Sequence, residues 1–168
     1  MADLTPFALL GLPERFAIDP ELVEKGWRSA IARVHPDRFA GRSAAERRVA
    51  EQWAGRINEA RDEIADPVRR ASLILRLRGA DAGSETDTRM DGAFLMQQMS
   101  WREKAESLRA QGASLEPLLG EVEALREELI SRLGEALDGR RDNALAREAV
   151  RRLMFVERIR RDLEGGKE

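Results

Sequence analysis

Again and again in its N-terminal half the chain sets a proline directly after a threonine or aspartate, at the head of an apolar-periodic stretch: Thr5-Pro6, Asp19-Pro20 and Asp66-Pro67. A Thr or Asp side chain satisfies free amides at a helix start, and proline is tolerated there because the N–H it lacks would be unpaired anyway. This is the punctuation of helices. The composition agrees, with no Tyr, five Phe and three Trp in a chain dominated by Ala, Leu, Glu and Arg, which are helix formers rather than strand formers. The sequence predicts an all-α protein.

The first signal predicts a short helix to Leu10, stopped by Gly11. The second opens a helix to about Val34, with Val23, Trp27, Ala30, Ile31 and Val34 on one stripe. His35-Pro36-Asp37 ends it, because proline disfavours the helical conformation in the residue before it. Ser43-Ala44-Ala45-Glu46 has the spacing of a capping box and heads a helix to 65 with Val49, Trp53, Ile57, Ala60 and Ile64 on one side. Residues 20–34 and 43–65 therefore read as an antiparallel hairpin with His35-Pro36-Asp37 at its tip. Asp66-Pro67 starts a further helix ending near Gly79. The segment 80–91, poor in large aliphatic residues, reads as a linker. Three longer helical patterns follow at about 92–110, 115–137 and 142–163, with loops around Gly112 and Gly139. They predict a three-helix bundle over residues 92–168.

A net charge of −2 argues against a chain that lives on phosphate contacts, so no nucleic-acid partner is expected. The absence of Cys excludes disulfides, thiolate metal sites and cysteine nucleophiles, and a single His makes a zinc site improbable. No signal peptide is visible at the N-terminus, and no stretch approaches the roughly 20 apolar residues that span a bilayer. The expectation is a cytoplasmic protein with no membrane partner and no metal.

At the hairpin tip, Pro36 stiffens the chain and lowers the entropy lost when a partner orders it. Lys25, Arg28 and Arg33 lie off the apolar stripe, beside Arg38. A basic face next to a rigid turn suits an acidic protein surface. The plainer alternative is a set of solvated helix charges beside an ordinary loop. His35 and Asp37 also suggest acid–base chemistry, but nothing else in the sequence supplies a nucleophile or oxyanion site. The chain is not expected to be an enzyme.

In the first helix of the second half each residue advances about 100°. With Phe94 at zero, Trp101, Ala105 and Leu108 fall within about 40° of it, whereas Leu95, Met99 and Met96 fall at about 100°, 140° and 200°. A helix in a three-helix bundle does not need both faces. The second face is either an adaptable patch for another protein or a packing surface for the rest of this chain. Phe155, off the Ala149–Leu153–Val156 stripe, either joins that surface or fills the side of the bundle.

Trp27-Arg28-Ser29-Ala30-Ile31-Ala32-Arg33-Val34-His35-Pro36-Asp37-Arg38, then Ile57-Asn58-Glu59-Ala60 through Asp66-Pro67, and the opening Phe7-Ala8-Leu9-Leu10-Gly11-Leu12 together resemble a J-domain over residues 1–79. The family usually has Tyr at Val34 and often Lys at Ser29. Phe94 to Glu103 and Val150 to Arg160 resemble the C-terminal domain of the HscB type of J-domain co-chaperone. Together the likenesses cover roughly residues 4–163. The resemblance implies an L-shaped arrangement of the two halves and a co-chaperone of iron–sulfur cluster assembly with no cofactor of its own. It implies that His35, Pro36, Asp37, Arg38, Lys25, Arg28 and Arg33 engage an HscA-type ATP-dependent chaperone and stimulate its ATPase. It further implies that Leu95, Met96, Met99, Glu103 and Phe155 bind an IscU-type iron–sulfur scaffold. Ser100 and Ser107 stand where the family often has acidic residues. The main alternative is a J-domain co-chaperone with a different client, and a more distant one is a helical adaptor.

Overall fold

The computed structural model describes residues 3–80 and 92–165. Apart from Ala80, the expected linker 80–91 lies outside the described residues. By its contacts the chain divides into two compact units, Met1–Leu77 and Arg78–Glu168. The fold is all-α.

In the first unit, α1 (Pro6–Leu9) is capped by Thr5, whose Oγ1 accepts from the Ala8 amide at 3.1 Å. It ends in a Schellman motif: Leu12 N–H donates to Phe7 O, Gly11 N–H donates to Ala8 O, and Gly11 sits at φ 64°. Helix α2 (Pro20–Val34) starts at Asp19, whose Oδ1 accepts from the Glu21 amide at 2.9 Å. His35 does more than end it. The chain re-enters helix at once as α3 (Pro36–Phe39), so the proline that stops α2 also starts the next turn. Helix α4 (Ala44–Ala65) carries the complete Ser43/Glu46 capping box, and α5 (Pro67–Leu77) follows Asp66, which caps the Arg69 amide at 2.9 Å.

Helices α2 and α4 run antiparallel. Glu24 pairs with Arg61 and Trp27 with Asn58, so numbers rise on one helix as they fall on the other. Phe7, Phe16, Val23, Ile57, Ala60, Ile64 and Ile74 form the buried centre. Arg70 locks the loop before α2 to it, donating to Phe16 O at 2.8 Å and Ile64 O at 2.6 Å with its guanidinium over the Phe16 ring. One expected core residue is misplaced. Val49 is 51% exposed and Ala50 is buried instead. Repeated steps of four drift by about 40° each, which carries Val49 about 80° from Ile57, while Ala50 lies within about 20°.

The second unit contains α6 (Gly92–Ala110), α7 (Glu116–Gly134), a π-helical turn (Glu135–Gly139) and α8 (Asn143–Gly165). Gly112, at φ 63°, closes α6 with a second Schellman motif. The turn expected around Gly139 falls later. Helical hydrogen bonding continues to Arg140, whose amide reaches Glu135 O, and Arg141 takes the left-handed conformation at φ 51°. Arg78 covers the end of the π-turn by donating to Leu137 O at 2.6 Å.

Helices α7 and α8 are antiparallel, with Val122, Leu129 and Leu133 facing Ala146, Val150, Leu153 and Val156 in a fully buried seam. Arg126 bridges them through Glu157, and Arg160 through Glu123. Burial works against the Arg126 charge, but hydrogen bonds and attraction from Glu157 and Glu123 outweigh it and push the guanidinium pKa up. Helix α6 is held to this pair largely by long side chains. Trp101 Nε1 donates to Glu121 at 3.2 Å, Arg109 donates to Asp162 O at 3.2 Å, and Phe94 meets Phe155.

Candidate functional site

The hairpin tip is built from the two helices that converge on it. His35 has φ −57° and ψ 137°, an extended residue between two helical stretches. Its ring is turned back on its own chain, where Nδ1 accepts from the Asp37 amide at 3.3 Å. Asp37 Oδ2 approaches the same ring nitrogen at 3.5 Å. Arg38 N–H bonds to His35 O at 2.9 Å, so the tip is a fixed turn rather than a loose loop.

His35, Pro36, Asp37 and Arg38 are all exposed, as are Lys25, Arg28 and Arg33. Among the described residues none of Lys25, Arg28, Arg33 and Arg38 has an ion-pair partner. The structure separates the helix cations. Lys25 and Arg33 border a groove beside α1, whereas Arg28 sits about 140° around the helix from Arg33.

Behind this face lies a brace that the sequence did not disclose. Trp27 Nε1 donates to Asn58 at 2.9 Å, Arg61 stacks over the Trp27 ring, and the same guanidinium forms a two-point contact with Glu24 at 2.8 and 2.9 Å. Trp27 is thereby fixed from two sides. The only available signal was the placement of these polar residues beside the apolar stripes.

On the second unit the two-faced α6 is resolved. Phe94, Trp101 and Ala105 are buried, whereas Leu95, Met96 and Met99 are 46%, 71% and 61% exposed. Glu103 is exposed one turn beyond Met99. Phe155 is half-buried and meets Phe94 edge-on, with ring centroids 6.4 Å apart at 77°. Arg152 covers Phe94 at 5.7 Å. The ring of Phe155 is therefore positioned by the core of α6. Met154, half exposed beside it, is a further apolar residue off the buried stripe of α8.

Among the described residues no cluster of three or more His, Asp or Glu could hold a metal ion, and no helix is long and apolar enough to cross a membrane.

Comparison with known proteins places the chain. Residues 90–164 match the family model described as the HSCB C-terminal oligomerisation domain. The Co-chaperone protein HscB homolog of Bordetella pertussis is 48% identical over 94% of this chain and 92% of its own length, and that of Burkholderia mallei is 47% identical over 91% and 88%. Chaperone HscB from Vibrio cholerae superposes with a TM-score of 0.84 at 32% identity, covering 97% of both chains. The human co-chaperone HscB gives a TM-score of 0.85 over 99% of this chain and 84% of its own, and at 24% identity it supports the fold alone. The N-terminal unit is thus a J-domain and the C-terminal unit a helical bundle, and the chain belongs to the HscB family of co-chaperones.

Proposed function

We propose that this chain carries an IscU-type iron–sulfur scaffold to an HscA-type chaperone and triggers ATP hydrolysis there. The J-domain, residues 1–79, supplies the trigger, and the bundle, residues 92–168, holds the client. The observation that carries the reading is the outward Leu95–Met96–Met99 face on α6, an apolar surface its own bundle leaves uncovered. Burying three such side chains is worth about 2 kcal/mol each. That is comparable with the cost of association itself. Phe155 and Glu103 are therefore needed to bring the contact to useful strength.

At the other end, the tip offers a turn already fixed by the His35–Asp37 and His35–Arg38 bonds. Little conformational freedom remains to be lost on docking. The exposed cations Lys25, Arg28, Arg33 and Arg38 speed encounter with an acidic surface. The chain itself supplies no reacting group; its part is to stabilise the hydrolytic conformation of the partner.

Single-turnover ATP hydrolysis by the cognate chaperone tests the trigger. Stimulation by the wild-type chain, larger with scaffold present and lost in His35→Gln, is the expected result, and equal stimulation by the variant removes the tip from the mechanism. Titration with purified scaffold tests the client. Binding unaffected by Met96→Ala would leave a J-domain co-chaperone for some other protein.

A further inference from the structure

Between α1 and α2 runs an open groove of about 350 Å³. Its floor is made by Gly26 and Ala30, its walls by Leu9 and Leu22, and its rim by Lys25 and Arg33. The floor cannot be raised from within, because a Cβ on Gly26 would stand 2.3 Å from the Leu10 carbonyl oxygen. Leu22 is 48% exposed at one end. Both rim cations are exposed and, among the described residues, lack an ion-pair partner. No acidic side chain lines the groove. It is an apolar slot with a positive border, continuous through Arg33 with the His35 tip two residues on.

The spacing along the slot defines what fits it. Lys25 and Arg33 are eight residues apart on a helix, about 12 Å. In an extended chain, residues i, i+2 and i+4 point to one side and span about 13 Å. Two carboxylates four positions apart would therefore reach the two cations, and the side chain between them would point into the slot. We propose that this groove receives an extended segment of the partner chaperone with the pattern acidic-x-apolar-x-acidic. The assignment rests on the reading that the J-domain meets an ATP-driven chaperone, and it adds to the basic face and the tip a shaped, apolar contact on the α1 side of α2.

Filling the slot separates this contact from charge steering. Ser29 lines the groove and is exposed, so Ser29→Trp occupies it without altering charge. Binding of the full chain to the ATP-loaded chaperone is followed by interferometry. Ser29→Trp is expected to weaken it at least tenfold. Lys25→Glu/Arg33→Glu is expected to weaken it by a similar factor at low salt, the deficit shrinking as salt screens the rim. Loss with the charge variant but wild-type binding by Ser29→Trp means steering alone and overturns the groove. Should Ser29→Trp fail to fold, Leu22→Ala replaces it: at least threefold weaker binding supports the slot, and wild-type affinity overturns it. Unchanged binding by all these variants, with stimulation still lost in His35→Gln, sinks the groove and leaves the chaperone reading standing. A wild-type chain that neither binds nor stimulates the chaperone sinks both.

Discussion

Arg61 of α4 stands over the indole of Trp27 on α2, its Cζ 4.1 Å from the ring centroid, while its Nε and Nη2 bind both oxygens of Glu24. One planar group thus serves a stack and a two-point ion pair across the hairpin, and lysine cannot reproduce that geometry. Arg61→Lys is expected to cost nearly as much stability as Arg61→Ala, about 1 kcal/mol. Most of that comes from the stack, since the ion pair is partly exposed and screened. Denaturation of the full chain, with amide exchange in α2 and α4 to localise the loss, is the check. A fully rescuing lysine would assign the whole effect to charge.

The approach of α2 to the end of α1 makes Gly26 irreplaceable. Alanine is ordinarily the better helix former by about 1 kcal/mol. Here its methyl collides with a backbone oxygen that a Schellman turn holds in place. Gly26→Ala is expected to destabilise by about 1–2 kcal/mol. Gly55→Ala, on an open face of α4 with nothing within 4 Å, is the control and is expected to stabilise by about 0.5–1 kcal/mol. Stabilisation in both variants would refute the close approach.

The start of α4 should respond to acid. Glu46 accepts from the Ser43 backbone amide at 3.0 Å and from its hydroxyl at 3.1 Å, and these bonds, the backbone one first, hold its carboxyl below the usual range. A pKa lowered by folding contributes stability that is complete above the unfolded value of about 4.5 and fades as pH falls through the folded one. Glu46→Gln should therefore be less stable than wild type at neutral pH and converge with it as pH falls through the lowered folded value. Ser43→Ala should cost about 1 kcal/mol and keep part of that deficit in acid, because the hydroxyl also accepts from the Glu46 amide. Amide exchange at residues 44–47 across pH reads both.

Met96 and Met99 stand free of the bundle, but Phe155 does not. Met96→Ala and Met99→Ala are expected to change stability by less than about 0.5 kcal/mol. Phe155→Ala, which strips the edge contact from Phe94, is expected to cost about 2 kcal/mol. Under the proposed function all three weaken scaffold binding. Thermal melts beside scaffold titrations separate the two effects, and a melt unchanged by Phe155→Ala would count against the aromatic pair.

Helix starts were legible because Thr5, Asp19, Ser43 and Asp66 each act on amides within three residues. The face of α6 was legible for a similar reason: too many apolar side chains for one bundle is a local property. Contacts across the fold were not. Pairing of Trp27 with Asn58, or of Phe94 with Phe155, depends on helix register and spacing that no local pattern encodes. Val49 was misread because a ladder of fours drifts around the cylinder. The π-turn was missed because one extra residue per turn leaves no periodic mark. Pro36 was read as a stop and a stiffener but not as a start, though the same fixed φ that ends one helix suits the first position of another. The groove by α1 escaped notice because small residues define it, and small residues look like nothing in a sequence.

Phe155 owes its place to Phe94, a core residue of the same helix that carries the methionines. A partner gripping Leu95, Met96 and Phe155 together therefore grips α6 and α8 at once, and binds only chains in which those helices are seated. By mass action such a partner, at a hundred times its dissociation constant, would add about 2.7 kcal/mol to the seated state. Damage that detaches α6 would divide the handle before the tip at His35 lost anything. Under the proposed function, cargo would then be refused by a chain whose trigger still worked.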